Sequence, residues 1–167
     1  MRAVAHRQPM ELSTPKVPKL LPRVRTAALT AGKKIKGRKR HIVVDVMGNL
    51  LAVVVHAANI HDTKAGINPA KQAFERYPTI EKFCGDEGYR KSFVEAVFEQ
   101  LGLDVDISQR IAPEFVVLPK RWVVERTFSW LNHSRRLSKD YEISAKSEEA
   151  WVKISHLHTL LRRIGKL

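Results

Sequence analysis

Residues 50–57 read LLAVVVHA, with one polar side chain, His56, and no alternation of apolar and polar positions. A strand with one face in water alternates, because successive side chains point to opposite sides of the sheet. This segment therefore belongs in a sheet that is covered on both faces. The run before it, HIVVDV at 41–46, is β-branched, and the linking MGN places Gly48 and Asn49 where a tight reversal needs them. The two runs predict a β-hairpin.

Both faces of such a sheet need helices, and the downstream sequence supplies them. NIHDTKAGINPAKQAFERYP predicts a helix capped at Asp62 or Thr63 and ending near Tyr77, with Pro69 in a first turn or at a break. TIEKFCGD reads as a strand, residues 91–101 as a helix closed by Gly102, and LDVDIS as a short strand. KRWVVERTFSWLNHSRRL places Trp122, Val123, Phe128 and Leu131 at helical spacings. A last helix over about 146–163 carries Trp151, Ile154, Leu157, Leu161 and Ile164 on one stripe. Hairpin, helix, strand, helix, strand, helix is the order of an α/β layer sandwich with a mixed sheet.

The first 31 residues differ. They hold Pro9, Pro15, Pro18 and Pro22, half of the 8 prolines, with a single acid, Glu11. Proline at that density excludes a helix and spoils a central strand, so the segment is expected to be extended and poorly ordered. The domain expected from this is 32–167. Cys84 is the only cysteine, which rules out an intramolecular disulfide and a cysteine-based zinc cluster. The histidines offer no zinc spacing either; His156 and His158, two apart, fall on different faces of a helix. With no signal-like or membrane-length apolar run, no membrane partner is expected, and the reading is a cytoplasmic protein.

The charge is lopsided. Thirty Lys and Arg face 17 Asp and Glu, a formal net charge of +13, which favours polyanions and above all nucleic acid. Lys33, Lys34, Lys36, Arg38, Lys39 and Arg40 crowd into one short stretch, read here as a phosphate track, with a solvated basic loop as the plainer reading. Arg135, Arg136 and Lys139 form a second cluster. Trp122, Trp130 and Trp151 could stack bases, but their helical spacing favours the core.

The chemistry is carried by carboxylates. Asp86 ends the strand TIEKFCGD, and Glu125 lies in the later helix beside Arg121 and Arg126. A strand end and a helix can bring two carboxylates together to chelate a hard divalent cation. Asp86 could equally cap the next helix, and Glu125 could pair with an arginine.

The stretches GKKIKGRKRHIVVDVMGNLLAVVVHAANIHD, GDEGY and VVLPKRWVVERTFSWLNHSRRLSKDYE resemble the carboxy-terminal part of bacterial insertion-sequence transposases of the DDE class, over residues 32 to about 160. The resemblance implies a ribonuclease H-like fold and DNA transposition with Asp, Asp and Glu holding two magnesium (or manganese) ions. It assigns Asp86 as the second carboxylate, Glu125 as the third and Arg121 as the helix arginine; Leu118 stands where the family has a tyrosine. It also implies DNA and a second copy of the chain as partners, on the nucleoid.

The first carboxylate of that set is missing. The family carries it on the first strand of the sheet, ahead of the lysine box, where this chain has LSTPKVP. Asp45 and Asp62 are placed for structural roles, at a hairpin and a helix start. The expected fold is thus a partial ribonuclease H-like mixed sheet with flanking helices and its first strand missing, and the expected activity is impaired. If Ser13 and Thr14 are encoded by TCG ACA, the frame displaced by one nucleotide contains an aspartate codon. Residues 1–31 would then be an out-of-frame translation joined to an in-frame remainder.

Overall fold

The computed structural model describes residues 2–9, 28–29, 36–108 and 119–165, with side chains over 37–108 and 122–165. The expected hairpin is β3 (Lys36–Asp45) and β4 (Leu50–Ala57), paired antiparallel. Its reversal is built by Asp45, whose Oδ1 accepts from the backbone N–H of Met47 and of Asn49, each at 2.8 Å, while Gly48 supplies a φ of +85°. Asp45 is therefore structural, as its position suggested.

Four further strands complete the sheet. β1 (Arg2–Pro9) runs antiparallel to β3 and parallel to β5 (Lys82–Gly85), β6 (Asp104–Ile107) runs parallel to β5, and β2 (Ala28–Leu29) pairs with the start of β3. The main order is β4-β3-β1-β5-β6, three antiparallel strands followed by two parallel ones. That is the mixed sheet expected, with one correction. The first strand is not missing: Arg2–Pro9 occupies the central place. The proline argument fails there because Pro9 is the last residue of the strand, where a lost N–H interrupts little. The lysine box is corrected too, since residues from Lys36 onward belong to β3 and not to a lead-in loop. Lys33 and Lys34, and most of the proline-rich segment, lie outside the described residues.

Helices cover both faces. α1 (Asp62–Ala65) and α2 (Ile67–Arg76) are separated at Gly66, with Pro69 in the first turn of α2; α3 (Ser92–Leu101) closes on Gly102 at φ 66°. α2 and α3 pack with Val43, Ala52 and Phe83. α4 (Pro119–Asn132) and α5 (Ala145–Ile164) pack on the other side with Ile42, Val44, Val53, Val55 and Cys84. Neighbours on one strand thus enter opposite cores, as the unbroken apolar run required. Each such side chain, fully buried, contributes about 1.5–3 kcal/mol.

The sheet side facing α5 is organised by charge. Arg38, Lys39 and Arg40 are 1%, 7% and 4% exposed. Arg38 donates through Nε to Asp140 Oδ2 at 2.9 Å and lies 3.1 Å from Glu148 Oε2; Arg40 Nε donates to Glu148 Oε1 at 2.5 Å and its Nη1 to the Leu137 carbonyl at 3.0 Å. Lys39, on the opposite parity, reaches Asp62 at 3.1 Å, so Asp62 is also structural. Burial pushes the Glu148 carboxyl above its usual range, and the Arg40 and Arg38 guanidiniums pull it back.

This cluster rotates α5 away from the expected orientation. Its buried face is Glu148, Val152, Ser155 and His156, while Ile154, Leu157, Leu161 and Ile164 of the apolar stripe are each more than half exposed. The same face caps the outer strand. Val55 N–H donates to Glu149 Oε1 at 2.9 Å and Leu50 N–H to His156 Nε2 at 3.0 Å, which satisfies donors that an edge strand leaves open. Of the tryptophans, Trp151 packs against the core as expected, while Trp130 is half-buried and Trp122 is 45% exposed.

Two predictions follow from this packing. Glu148→Ala leaves two buried guanidiniums without their shared carboxylate and should cost about 3–5 kcal/mol in chemical denaturation. For His156, burial, assisted by Arg163, lowers the imidazole pKa below 6.5. The unfolded chain then takes up a proton that the folded chain refuses, so this contribution is intact above about pH 6.5 and is lost as pH falls below it. Relative to His156→Gln, which keeps an acceptor for Leu50 but does not titrate, the native protein should lose stability between pH 7 and 5.5.

Candidate active site

Asp86 directly follows β5. Its extended backbone (φ −82°, ψ 176°) lets Oδ1 accept from the Gly88 N–H at 2.9 Å, which caps the single turn Glu87–Tyr89. The carboxylate is half-buried, and the turn that carries it is anchored by Tyr89. That ring is 1% exposed, packs on Phe93 with centroids 4.9 Å apart, and places its hydroxyl 2.7 Å from His41 Nδ1 on β3. Gly66 makes room for it: a Cβ there would lie 2.5 Å from Tyr89 Cε1. The GDEGY box is thus a strand end, a carboxylate and the aromatic anchor that fixes both.

Glu125 is exposed on α4, one residue beyond Val124, which is fully buried. Val124 shares a core cluster with Cys84, and Cys84 lies two residues before Asp86, on the same strand parity. The fold therefore brings the Asp86 end of β5 and the Glu125 helix to the same side of the sheet. α4 also packs against β1, the strand next to β5.

The pairing of β1 with β5 identifies the missing position. Val4 is level with Cys84, so two residues on His6 is level with Asp86. β1 reads RAVAHRQP and contains no carboxylate. Asp86 and Glu125 suit a hard divalent ion as two oxygen ligands, and the neighbouring strand adds none. Among the described residues no group of three or more His, Cys, Asp or Glu side chains gathers to hold a metal.

The expected DNA-contacting residues separate into classes. Arg38, Lys39 and Arg40 are buried against carboxylates, which corrects the phosphate track over that part: a charge run inside a strand meets partners on both sheet faces. Lys36 is placed only as the first residue of β3, and the side chain of Arg121 lies outside the described residues. Arg126 donates to the Met47 carbonyl at 3.0 Å and sits between two indoles, 4.5 Å from the Trp122 ring centre and 4.7 Å from that of Trp130. Arg136 pairs with Glu142 at 2.8 Å and lies over Trp151. The Ser147 hydroxyl, with Arg136, holds the Glu142 carboxyl below its usual range. Arg135 and Lys139 are exposed. The indole–guanidinium series Trp122, Arg126, Trp130 was not anticipated, although its four-residue spacing places all three on one helix face.

Residues 19–160 match the family described as the transposase DDE domain. A putative transposase for insertion sequence element IS402 from Burkholderia cepacia is 31% identical over 130 residues, covering 71% of this chain and 60% of that protein. The chain thus spans about 60% of the length of this curated relative. Among solved structures, the catalytic core domain of BIV integrase superposes with a TM-score of 0.50 at 12% identity, over 92% of this chain and 80% of that one. At that identity the likeness concerns the fold, which is ribonuclease H-like.

Gly66→Ala tests the anchoring of the Asp86 turn. Its backbone tolerates alanine (φ −63°), so the effect is steric against Tyr89, and the substitution should cost about 1–3 kcal/mol in thermal or chemical unfolding.

Proposed function

The chain belongs to the transposase DDE-domain family, and from that premise we propose that it binds transposon-end DNA, with Asp86 and Glu125 as two ligands of a divalent ion, magnesium or manganese, at the site of strand nicking and transfer. The observation that supports this most directly is the placement of the β5 end and the Glu125 helix on one side of the sheet, beside β1. A bound divalent ion supplies charge stabilisation to the attacking and leaving oxygens of an in-line phosphoryl displacement. The chain's own part is to position. Tyr89 holds the Asp86 turn against β3, buried Val124 fixes the helix that carries Glu125, and exposed Arg135 and Lys139 face the solvent from which a DNA backbone would approach. Work on the nucleoid, in the cytoplasm, follows from a DNA partner. Among the described residues no helix is long and apolar enough to cross a membrane.

We further propose that this chain is defective alone. With no carboxylate on β1, the ligand set for two ions is incomplete, and a misplaced catalytic constellation costs orders of magnitude in rate. The same observation favours a second reading, a non-catalytic DNA-binding or dimerising fragment; the exposed row Ile154, Leu157, Leu161 and Ile164 suits self-association. The frame-displaced origin of residues 1–31 is tested in the encoding DNA, which must hold an aspartate-bearing strand in a shifted frame.

Nicking of a terminal-repeat duplex in magnesium distinguishes the two readings. The unaltered chain should show none above an Asp86→Ala control. Supplying the missing carboxylate, by His6→Asp level with Asp86 or by restoring the displaced frame around Ser13 and Thr14, should yield magnesium-dependent nicking that Asp86→Ala or Glu125→Ala abolishes again. Strong nicking by the unaltered chain that survives both substitutions would put the chemistry elsewhere.

A further inference from the structure

Most of the buried or ordered cations of this protein are already committed: Arg38 and Arg40 to Glu148, Lys39 to Asp62, Arg136 to Glu142. Arg162 and Arg163 are not. They lie in the last turn of α5, exposed, with no carboxylate partner among the described residues. Both border a cleft of about 510 Å³ between α4 and α5, which Trp130, His133, Ser134 and His158 also line and to which no acidic residue contributes.

The cleft is built from side chains with fixed positions. Arg163 rests over the Trp130 ring, 5.0 Å from its centre, and Trp130 holds Arg126 at 4.7 Å, so the two helices are joined through one indole. Ser155 donates to Ser134 Oγ at 2.9 Å, which leaves the Ser134 hydroxyl proton to be donated into the cleft. A helix C-terminus by itself favours arginine, through its dipole. That accounts for the charge but not for an acid-free cleft with an indole wall and hydroxyl donors. Two guanidiniums and a hydroxyl in such a space are donors suited to phosphate oxygens. Trp130 lies five residues beyond Glu125 on α4, about 7.5 Å along the helix axis and about 140° around it, so the cleft opens on a different face of α4.

We propose that the α4–α5 cleft binds the phosphodiester backbone of a DNA strand, through Arg162 and Arg163. This rests on the reading that the chain binds DNA, and assigns that binding to a site which the basic stretch at 33–40 does not include.

The test is binding of fluorescein-labelled oligonucleotides, single-stranded and duplex, to the full chain across a salt series. Arg162→Ala/Arg163→Ala should weaken binding about tenfold or more and flatten the dependence of log affinity on log salt by about one to two phosphate equivalents. Lys146→Ala/Lys153→Ala, which removes the same charge from exposed positions of α5 outside the cleft, should change affinity much less. Binding should also shift native tryptophan emission, and this shift should shrink in Trp130→Phe. Both arginines are exposed, so thermal melting of the double variant should match the native protein. Equal effects of the two double variants, or native affinity in Arg162→Ala/Arg163→Ala, would overturn the cleft. A native chain that binds neither oligonucleotide would overturn the DNA-binding reading itself.

Discussion

Glu148 holds this fold together from the least obvious place, between two arginines on a central strand and at the start of the last helix. Burying three charges costs several kcal/mol per ion before pairing, and the geometry recovers part of this through Asp140 and the Leu137 carbonyl, while Arg38 Nη1 and Arg40 Nη2 stay without an acceptor among the described residues. Once Glu148 is fixed, every residue at helical spacing from it is fixed as well. Val152 enters the core, Ser155 meets Ser134, and His156 reaches the Leu50 N–H at the sheet edge. The apolar stripe is left outside because its face is the one opposite the anchor. A buried ionic contact is expensive, but it has one satisfactory arrangement, and here that arrangement sets the rotation of a 20-residue helix.

The elements that periodicity specifies were legible from sequence: the hairpin with Asp45 at its turn, Pro69 in a first helical turn, the Gly102 stop, and the strand that ends at Asp86. Each depends on residues close in sequence. What stayed hidden depends on distant ones. Arg38 and Asp140 are 102 positions apart and Arg40 and Glu148 are 108, so nothing local distinguishes their buried ion pairs from a solvated basic loop. The alternation of Arg38, Lys39 and Arg40 directly before a β-branched run was the available signal. It marks a strand whose side chains enter both layers. The first strand was hidden for a different reason: RAVAHRQP is short and weakly patterned, and its place is set by β3 and β5 on either side.

The candidate site shows the same division. The GDEGY box could be read as a strand end with a carboxylate, but the role of Tyr89 as its anchor depends on a distant residue, Gly66, where a Cβ would need the space that the ring occupies. Glu125 could be placed on a helix, but its relation to Asp86 comes from Val124 and Cys84 sharing one core cluster. The absent first carboxylate became a specific position only through strand register, which sets His6 level with Asp86.

A net charge of +13 does not measure how much of this protein faces a polyanion. Three of the most conspicuous basic residues neutralise carboxylates in the interior, so the field they project is that of ion pairs and falls off quickly. The cations without such partners weigh more than their number suggests. Arg162 and Arg163 on α5, at the cleft shared with α4, lie on the side of the sheet to which Glu125 belongs. Among the described residues no acidic side chain lines that cleft, so the charge of these two arginines is left uncompensated there, unlike that of Arg38 and Arg40 in the interior.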